Sequence, residues 1–335
     1  MRLRRLLVPL VALATLALAW PTDDRALPRP PALPAATPAQ QQDRLVLALL
    51  EPERIASVDL DDGAVATLQL TAGTLCRSQL FVVDGRIVFM APGRHGGRVM
   101  SVDLALRERP HWLATADVVV PSPVPGHVWI ASRAPGPHGH WLVQDLVVRG
   151  GTIARPPRRA PSLPIAGAVS DGLVLQGRHG RFVWDPRTGR RSRGAPGRWV
   201  LAAQGRLIAS CGDRCTNLLL ADGTRGRVVH APPGRRFLPV GAALTPAGDL
   251  LAAPLLPYRR PRLALVDTAT GTWRLLDGAG LGQRAAFAFS PDGTRLFAVD
   301  RFDRVRAFAT DGRPLGVVSP RFAAPVVQLL AARAA

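Results

Sequence analysis

The sequence has no lysine, three glutamates (Glu51, Glu53 and Glu108), one tyrosine and three cysteines among 335 residues. Two strong helix formers are thus nearly missing, while valine, threonine and aromatic residues recur in short runs, which argues against a helix-dominated fold. No Gly-X-Ser-X-Gly elbow, His-Glu-X-X-His pair, Walker loop or EF-hand loop occurs, so the common signatures of serine hydrolases, zinc peptidases, nucleotide hydrolases and calcium sensors are absent. All three glutamates lie within the first 108 residues. Most aspartates sit in turn-like contexts, where they hydrogen-bond to the local backbone, so few carboxylates remain for acid–base or metal chemistry.

Glycine and proline are abundant instead, at 32 each, well above an average of about 12% combined, yet without the period of collagen or the polar tracts of disorder. Hydrophobic residues make up 47%, enough to bury a core. The length suits about two domains or one large all-β domain.

All 43 basic side chains are arginine, against 24 acidic ones, for a net charge of +19. Such an excess suits an anionic partner. A GC-rich bacterial genome of the actinobacterial kind would also write arginine for lysine and favour alanine, glycine and proline, so a merely solvated basic face remains the competing reading. Arginine pairs bidentately with phosphate or carboxylate. Three runs make candidate anion-binding loops: Arg155-Pro-Pro-Arg158-Arg159, Arg190-Arg191-Ser-Arg193 and Arg259-Arg260-Pro-Arg262.

Residues 1–20 open with Arg2, Arg4 and Arg5 and continue uncharged from Leu6 to Trp20. This is the pattern of a secretory signal peptide, and at 15 residues the apolar stretch is also a short membrane anchor. Ala17-Leu18-Ala19 offers a small-x-small cleavage pattern, followed at once by Trp20 and Pro21. Residues 21–42 are proline-rich and end in Gln40-Gln41-Gln42, a composition that reads as an extended tether. Either fate of the segment places the rest of the chain outside the cytoplasm, secreted or held at the cytoplasmic membrane. Cys211-Gly-Asp-Arg-Cys215 lies between two apolar runs. In an exported chain it reads as a disulfide pinning a hairpin, whereas in a reducing compartment it would be half a metal site. Cys76 is left over and reads as a small buried hydrophobe.

From residue 43 onward a unit recurs: an apolar strand, an aspartate, a turn, another strand. Its markers are Asp59, Asp103, Asp145, Asp185, Asp222 and Asp267, with Ala309 completing the series, at steps of 44, 42, 40, 37, 45 and 42 residues. These steps match a four-stranded propeller blade of about 40–45 residues. Four markers are followed by glycine four residues on, at Gly63, Gly189, Gly226 and Gly271, which reads as an Asx-turn with glycine supplying positive φ. Two further hairpins precede the last markers, Leu244-Thr-Pro-Ala-Gly248-Asp249 and Phe289-Ser-Pro-Asp292-Gly293-Thr-Arg-Leu296.

The segment from Phe289 to Val299 resembles the repeat of the WD40-like, YVTN and TolB-like β-propellers. The resemblance implies an all-β, seven-bladed β-propeller over residues 43–335. Trp-Asp occurs only at Trp184-Asp185, without the Gly-His of true WD40 repeats, so the TolB-like or YVTN-like branch is the expected one. The first unit offers three strands, while Ala324 to Ala332 is a strand-like run left over after the seventh. The C-terminus is therefore expected to supply the missing inner strand and close the ring.

Few residues suggest chemistry. His138-Gly-His140 has metal-ligand spacing but follows Pro135-Gly-Pro137, which favours a loop tip. Six tryptophans, Trp112, Trp129, Trp141, Trp184, Trp199 and Trp273, read as packing between blades, with stacking on a ligand as the alternative. The expectation is an exported or membrane-tethered propeller, monomeric, acting as a scaffold for a protein or an anionic envelope polymer, with no catalytic residues, cofactor or nucleic-acid partner. The alternative is a metal-dependent lactonase or hydrolase-type enzyme with its site in the central channel.

Overall fold

The strands after residue 43 alternate with turns so regularly that both faces of almost every sheet are covered by a neighbouring sheet. A computed structural model describes residues 43–333, apart from 78, 95, 135–139, 163, 178–179, 196, 224, 239–240, 257–260, 277–280 and 282–284. Residues 1–42, with the expected signal or anchor segment and tether, lie outside the described residues. The described residues form seven antiparallel sheets of four strands, two of which have one strand split in two. This is a seven-bladed β-propeller.

Blade 1 contains Asp43–Leu49, Arg54–Asp59 and Val65–Gln69, and its fourth strand, on the inner side, is Val326–Arg333 from the far end of the chain. The two ends pair in antiparallel register from Asp43 opposite Arg333 to Leu49 opposite Val326. The inner strands follow one another around the axis as Val326–Arg333, Phe81–Val83, Val118–Pro121, Pro164–Val169, Trp199–Gln204, Ala243–Leu244 and Phe287–Phe289, and the last packs against the first.

The core is divided among the seams between blades. Seven separate clusters of buried apolar side chains lie one to each seam, the largest joining blades 7 and 1 around Leu45, Leu47, Phe297, Val326 and Leu329. This explains why strands such as Asp43–Leu49 read as nearly continuous apolar runs, since a sheet covered on both faces does not alternate. Among the described residues, Val169, Val174, Val183 and Ile208 are the buried members of the seam between blades 4 and 5.

The repeat markers fall at one end of the ring, where the third strand of each blade turns into the fourth; we call this the turn end. Asp59, Asp185 and Asp267 each accept a backbone N–H from two or three residues on, at 2.7–3.0 Å. The glycine four residues after each closes the turn at positive φ. Two markers depart from this reading. After Asp222 the residue at positive φ is Gly223, and Gly226 lies in the following strand, because Asp222 pairs directly with Arg225. In blade 3 the strand Trp141–Val147 runs two residues past Asp145, so Val147 takes the marker position, with Gly151 donating to its carbonyl at φ 62°. Asp145 is thereby released from turn duty and buried within the strand.

The two hairpins singled out upstream are built alike. Ser290 and Thr245 each open a turn in which the residue three on, Gly293 or Gly248, donates to their carbonyl at φ near 75°. The side-chain hydroxyl of each accepts the N–H of Arg295 or Leu250. In blade 6, Thr268 of the neighbouring turn donates its hydroxyl to the Gly248 carbonyl at 2.7 Å, tying the two turns together.

Two polar links join blades where the ends meet. Gln328 donates to the Leu80 carbonyl and accepts the Leu80 N–H, both at 2.8 Å, tying the inner strand of blade 1 to the entry of blade 2. Asp43 is fully buried, with Arg295 of blade 7 at 3.7 Å and Arg333 of the last strand at 3.6 Å. Burial raises its pKa above 3.8, and the two guanidinium groups offset this only in part.

Candidate functional site

Two of the predicted arginine runs adjoin at the seam of blades 3 and 4, where the Arg158 guanidinium lies beside Gly189, next to Arg190, while Arg262 lies elsewhere. Arg190 follows the blade 4 turn and Arg191 begins the strand Arg191–Ala195, both exposed at the turn end. Arg191 stacks over the Phe182 ring at 4.0 Å, which leaves its N–H edge free. The Arg193 backbone pairs with Val183 in the same sheet, and its side chain lies outside the described residues. Arg262 begins the third strand of blade 6, whose other end carries Asp267, so it lies at the end of the ring opposite the turns. Arg259 and Arg260 lie outside the described residues. Arg158 and Arg159 are exposed on the short strand Arg158–Ala160 of blade 3.

Arg158 borders a cavity. The outer strand of blade 3 is broken into Thr152–Ile153 and Arg158–Ala160, both paired to Trp141–Val147, and the chain between them bulges out opposite Asp145. Pro156 and Pro157 lie in this bulge. They have fixed φ and no N–H to donate, so the bulge is stiff and cannot be drawn back into the ladder. The result is a cavity of about 190 Å³ at the seam of blades 3 and 4, lined by Trp129, Val143, Asp145, Arg155, Pro156, Arg158, Pro186 and Arg187.

The cavity has three kinds of wall. Trp129, Val143, Pro156 and Pro186 are apolar, and Trp129 belongs to the buried cluster of this seam. Its indole N–H is buried and has no acceptor among the described residues. Asp145 is 3% exposed and meets His127 Nδ1 at 2.8 Å. Arg155, Arg158 and Arg187 form the cationic wall. Arg187 is held by Asp185, whose Oδ1 accepts from the Arg187 backbone at 2.9 Å and from its Nε at 3.2 Å. Burial of Asp185 would raise its pKa, but these bonds and the Thr188 hydroxyl outweigh it and hold the carboxyl below 3.8. Arg155 and Arg158 are exposed, with no hydrogen-bond or ion-pair partner among the described residues.

A wider groove of about 590 Å³ opens at the turn end between blades 2 and 3, beside Trp112. Its charges neutralise one another: Arg149 meets Asp84 at 2.6 Å, and Glu108 meets Arg86 at 2.9 Å and His111 at 3.7 Å. Trp112 is 65% exposed and Trp199 42%, so packing between blades does not account for these two tryptophans, whereas it does for Trp129 and Trp184.

The remaining candidates have structural places. Glu53 accepts the N–H groups of Gly73 and Leu75 at 3.0 and 2.9 Å and so caps the short helical turn Thr74–Arg77. Cys211 and Cys215 are joined by a disulfide across the turn between Leu207–Cys211 and Asn217–Asp222. The Cys76 side chain, His138 and the other residues of 135–139 lie outside the described residues. Among the described residues no three His, Cys, Asp or Glu side chains cluster closely enough to hold a metal ion. No described helix is long and apolar enough to cross a membrane.

Of the run singled out in the sequence, Arg155 and Arg158 line the cavity; the rest of its lining was not singled out as a binding site. Asp145 resembled a turn marker, Trp129 a packing residue and Arg187 an ordinary turn arginine. Each is brought to the cavity by the bulge and by the neighbouring blade, which no local pattern announces.

No protein-family model matches the chain, and no curated protein matches it. Solved structures do. The chain is similar to apo AztD from Citrobacter koseri (11% identity, TM-score 0.56, covering 88% of this chain and 98% of that one). It is also similar to a putative 6-phosphogluconolactonase from Bacteroides fragilis (13%, 0.54, 89% and 100%). A third is TolB from Acinetobacter baumannii (14%, 0.52, 90% and 68%). At these identities the likeness establishes the β-propeller fold alone.

Proposed function

We propose that the chain is an extracytoplasmic propeller that serves as a binding scaffold, presenting arginine to a protein or an anionic polymer of the cell envelope. The observation that carries this reading is the pair of unpartnered guanidinium groups, Arg155 and Arg158, at the mouth of a preformed cavity. Arg86, Arg149 and Arg187, by contrast, each meet a carboxylate. Exposed arginines on a proline-bearing bulge are open to an outside anion. A disulfide and an N-terminal segment of signal or anchor type support an oxidising compartment. Export also removes nucleic acid as the usual partner of such charge. The lactonase or hydrolase reading rests on the fold likeness alone and lacks a ligand set among the described residues.

The test is capture from solubilised envelopes on the immobilised full-length chain, eluted in steps of rising salt. Anionic glycopolymer or lipid released at modest salt supports the arginine reading, because screening weakens exposed charge contacts. Discrete proteins that resist high salt support a shape-specific scaffold. An empty eluate would overturn the proposal.

A further inference from the structure

The cavity between blades 3 and 4 has features that a generally basic surface lacks. It places free positive charge, an apolar wall and a hydrogen-bonding carboxylate within one enclosure of about 190 Å³. A bare inorganic anion would leave much of it empty.

We propose that this cavity binds the phosphate ester of a small polyol, such as a glycerol phosphate group. Arg155 and Arg158 hold the phosphate at the mouth, with Arg187 completing the cationic side. Guanidinium forks suit phosphate oxygens, and these two have no competing partner. Asp145 disfavours an anion deep in the cavity, so the phosphate stays at the rim and the polyol points inward. There the Asp145 carboxylate, held by His127, accepts a hydroxyl hydrogen bond. Trp129 and Val143 cover the carbon chain, as Pro156 and Pro186 do from the two facing loops. The two prolines between them restrict the backbone that carries Arg155 and Arg158.

The inference deepens the scaffold reading by naming the group recognised. Its test reads the cavity alone, so it can fail while envelope capture succeeds, and the reverse.

The experiment is calorimetric titration of the full-length chain at fixed ionic strength with glycerol 3-phosphate, inorganic phosphate and glycerol. Saturable binding of glycerol 3-phosphate at one site, at least tenfold tighter than inorganic phosphate and with no binding of glycerol, is expected. The Arg155→Gln/Arg158→Gln double variant should lose at least tenfold in affinity. An Arg109→Gln/Arg321→Gln variant, with the same change in net charge at exposed positions outside the cavity lining, should lose nothing. Vesicles containing phosphatidylglycerol that bind in the same Arg155- and Arg158-dependent way would identify a lipid headgroup as the source of the ester. Binding of free glycerol 3-phosphate without vesicle binding would identify a soluble or polymeric ester. Equal losses in the two double variants, equal affinity for inorganic phosphate and the ester, or no saturable binding would each overturn the proposal.

Discussion

At the scale of single residues, aspartate does three different jobs in this chain, and neighbouring groups decide which. Asp185 and Asp267 sit in Asx-turns and accept backbone and hydroxyl hydrogen bonds. For Asp185 burial works against the charge and is outweighed, while for Asp267 the Thr270 backbone bond leads, and both carboxyls lie below the ordinary 3.8. Their stabilisation is therefore fully present above pH 3.8 and drains away as the pH falls through the folded values. Asp185→Asn should shallow the acid limb of a stability-against-pH curve below pH 4 and cost about 1 kcal/mol at neutral pH. Denaturant melts at pH 3 and pH 7 would show it, and an unchanged acid limb would rule out this role. Asp43 has the opposite sign, because burial raises its pKa and its ionisation weakens the fold as the pH rises through that range. Asp145, paired with His127 in a strand, has neither job and faces the cavity.

At the scale of elements, the instructive departure is the broken outer strand of blade 3. A continuous strand opposite Trp141–Val147 would have filled the space that Arg155 to Pro157 vacate, and the cavity would not exist. The prolines mark the break in the sequence, but the partner wall from blade 4 becomes visible only when the blades are packed. The last strand, Val326–Arg333, is a second case. Its apolar run predicts a strand, and its sheet is a matter of pairing. Gln328 fixes it to blade 2 through both backbone groups of Leu80. Gln328→Leu leaves that N–H and carbonyl without partners and should cost about 1–3 kcal/mol. The loss would appear as a lower urea midpoint at unchanged slope, and an unshifted midpoint would show that the link is dispensable.

At the scale of the whole molecule, stability is shared among seven seams, and the seam between blades 7 and 1 depends on a strand that is 277 residues or more from its partners in sequence. We infer that this pairing latches the ring. Removing residues 323–335 takes Val326 and Leu329 from that cluster and strips Asp43–Leu49 of its inner neighbour. A broad, low-temperature thermal transition is expected for that truncation. Removing residues 1–42, a signal- or anchor-type segment and a proline-rich tether that precede the first strand, should leave the transition unchanged. Cooperative, unshifted unfolding of the C-terminal truncation would show that the ring holds without its latch.

The sequence by itself determined the strand content, the seven-fold repetition and most of the turns, because short continuous apolar runs and Asp–Gly turn chemistry act over a few residues and leave a local trace. It also marked Arg158 and the proline-bearing loop around it. Tertiary structure alone decided that Asp145 is buried rather than turned outward, that Arg158 and Arg262 lie at different parts of the ring, and that Arg187 of one blade faces Arg155 of another across a cavity. Those outcomes depend on strand register and on which blades adjoin, which are set by pairing and packing between residues far apart in the chain.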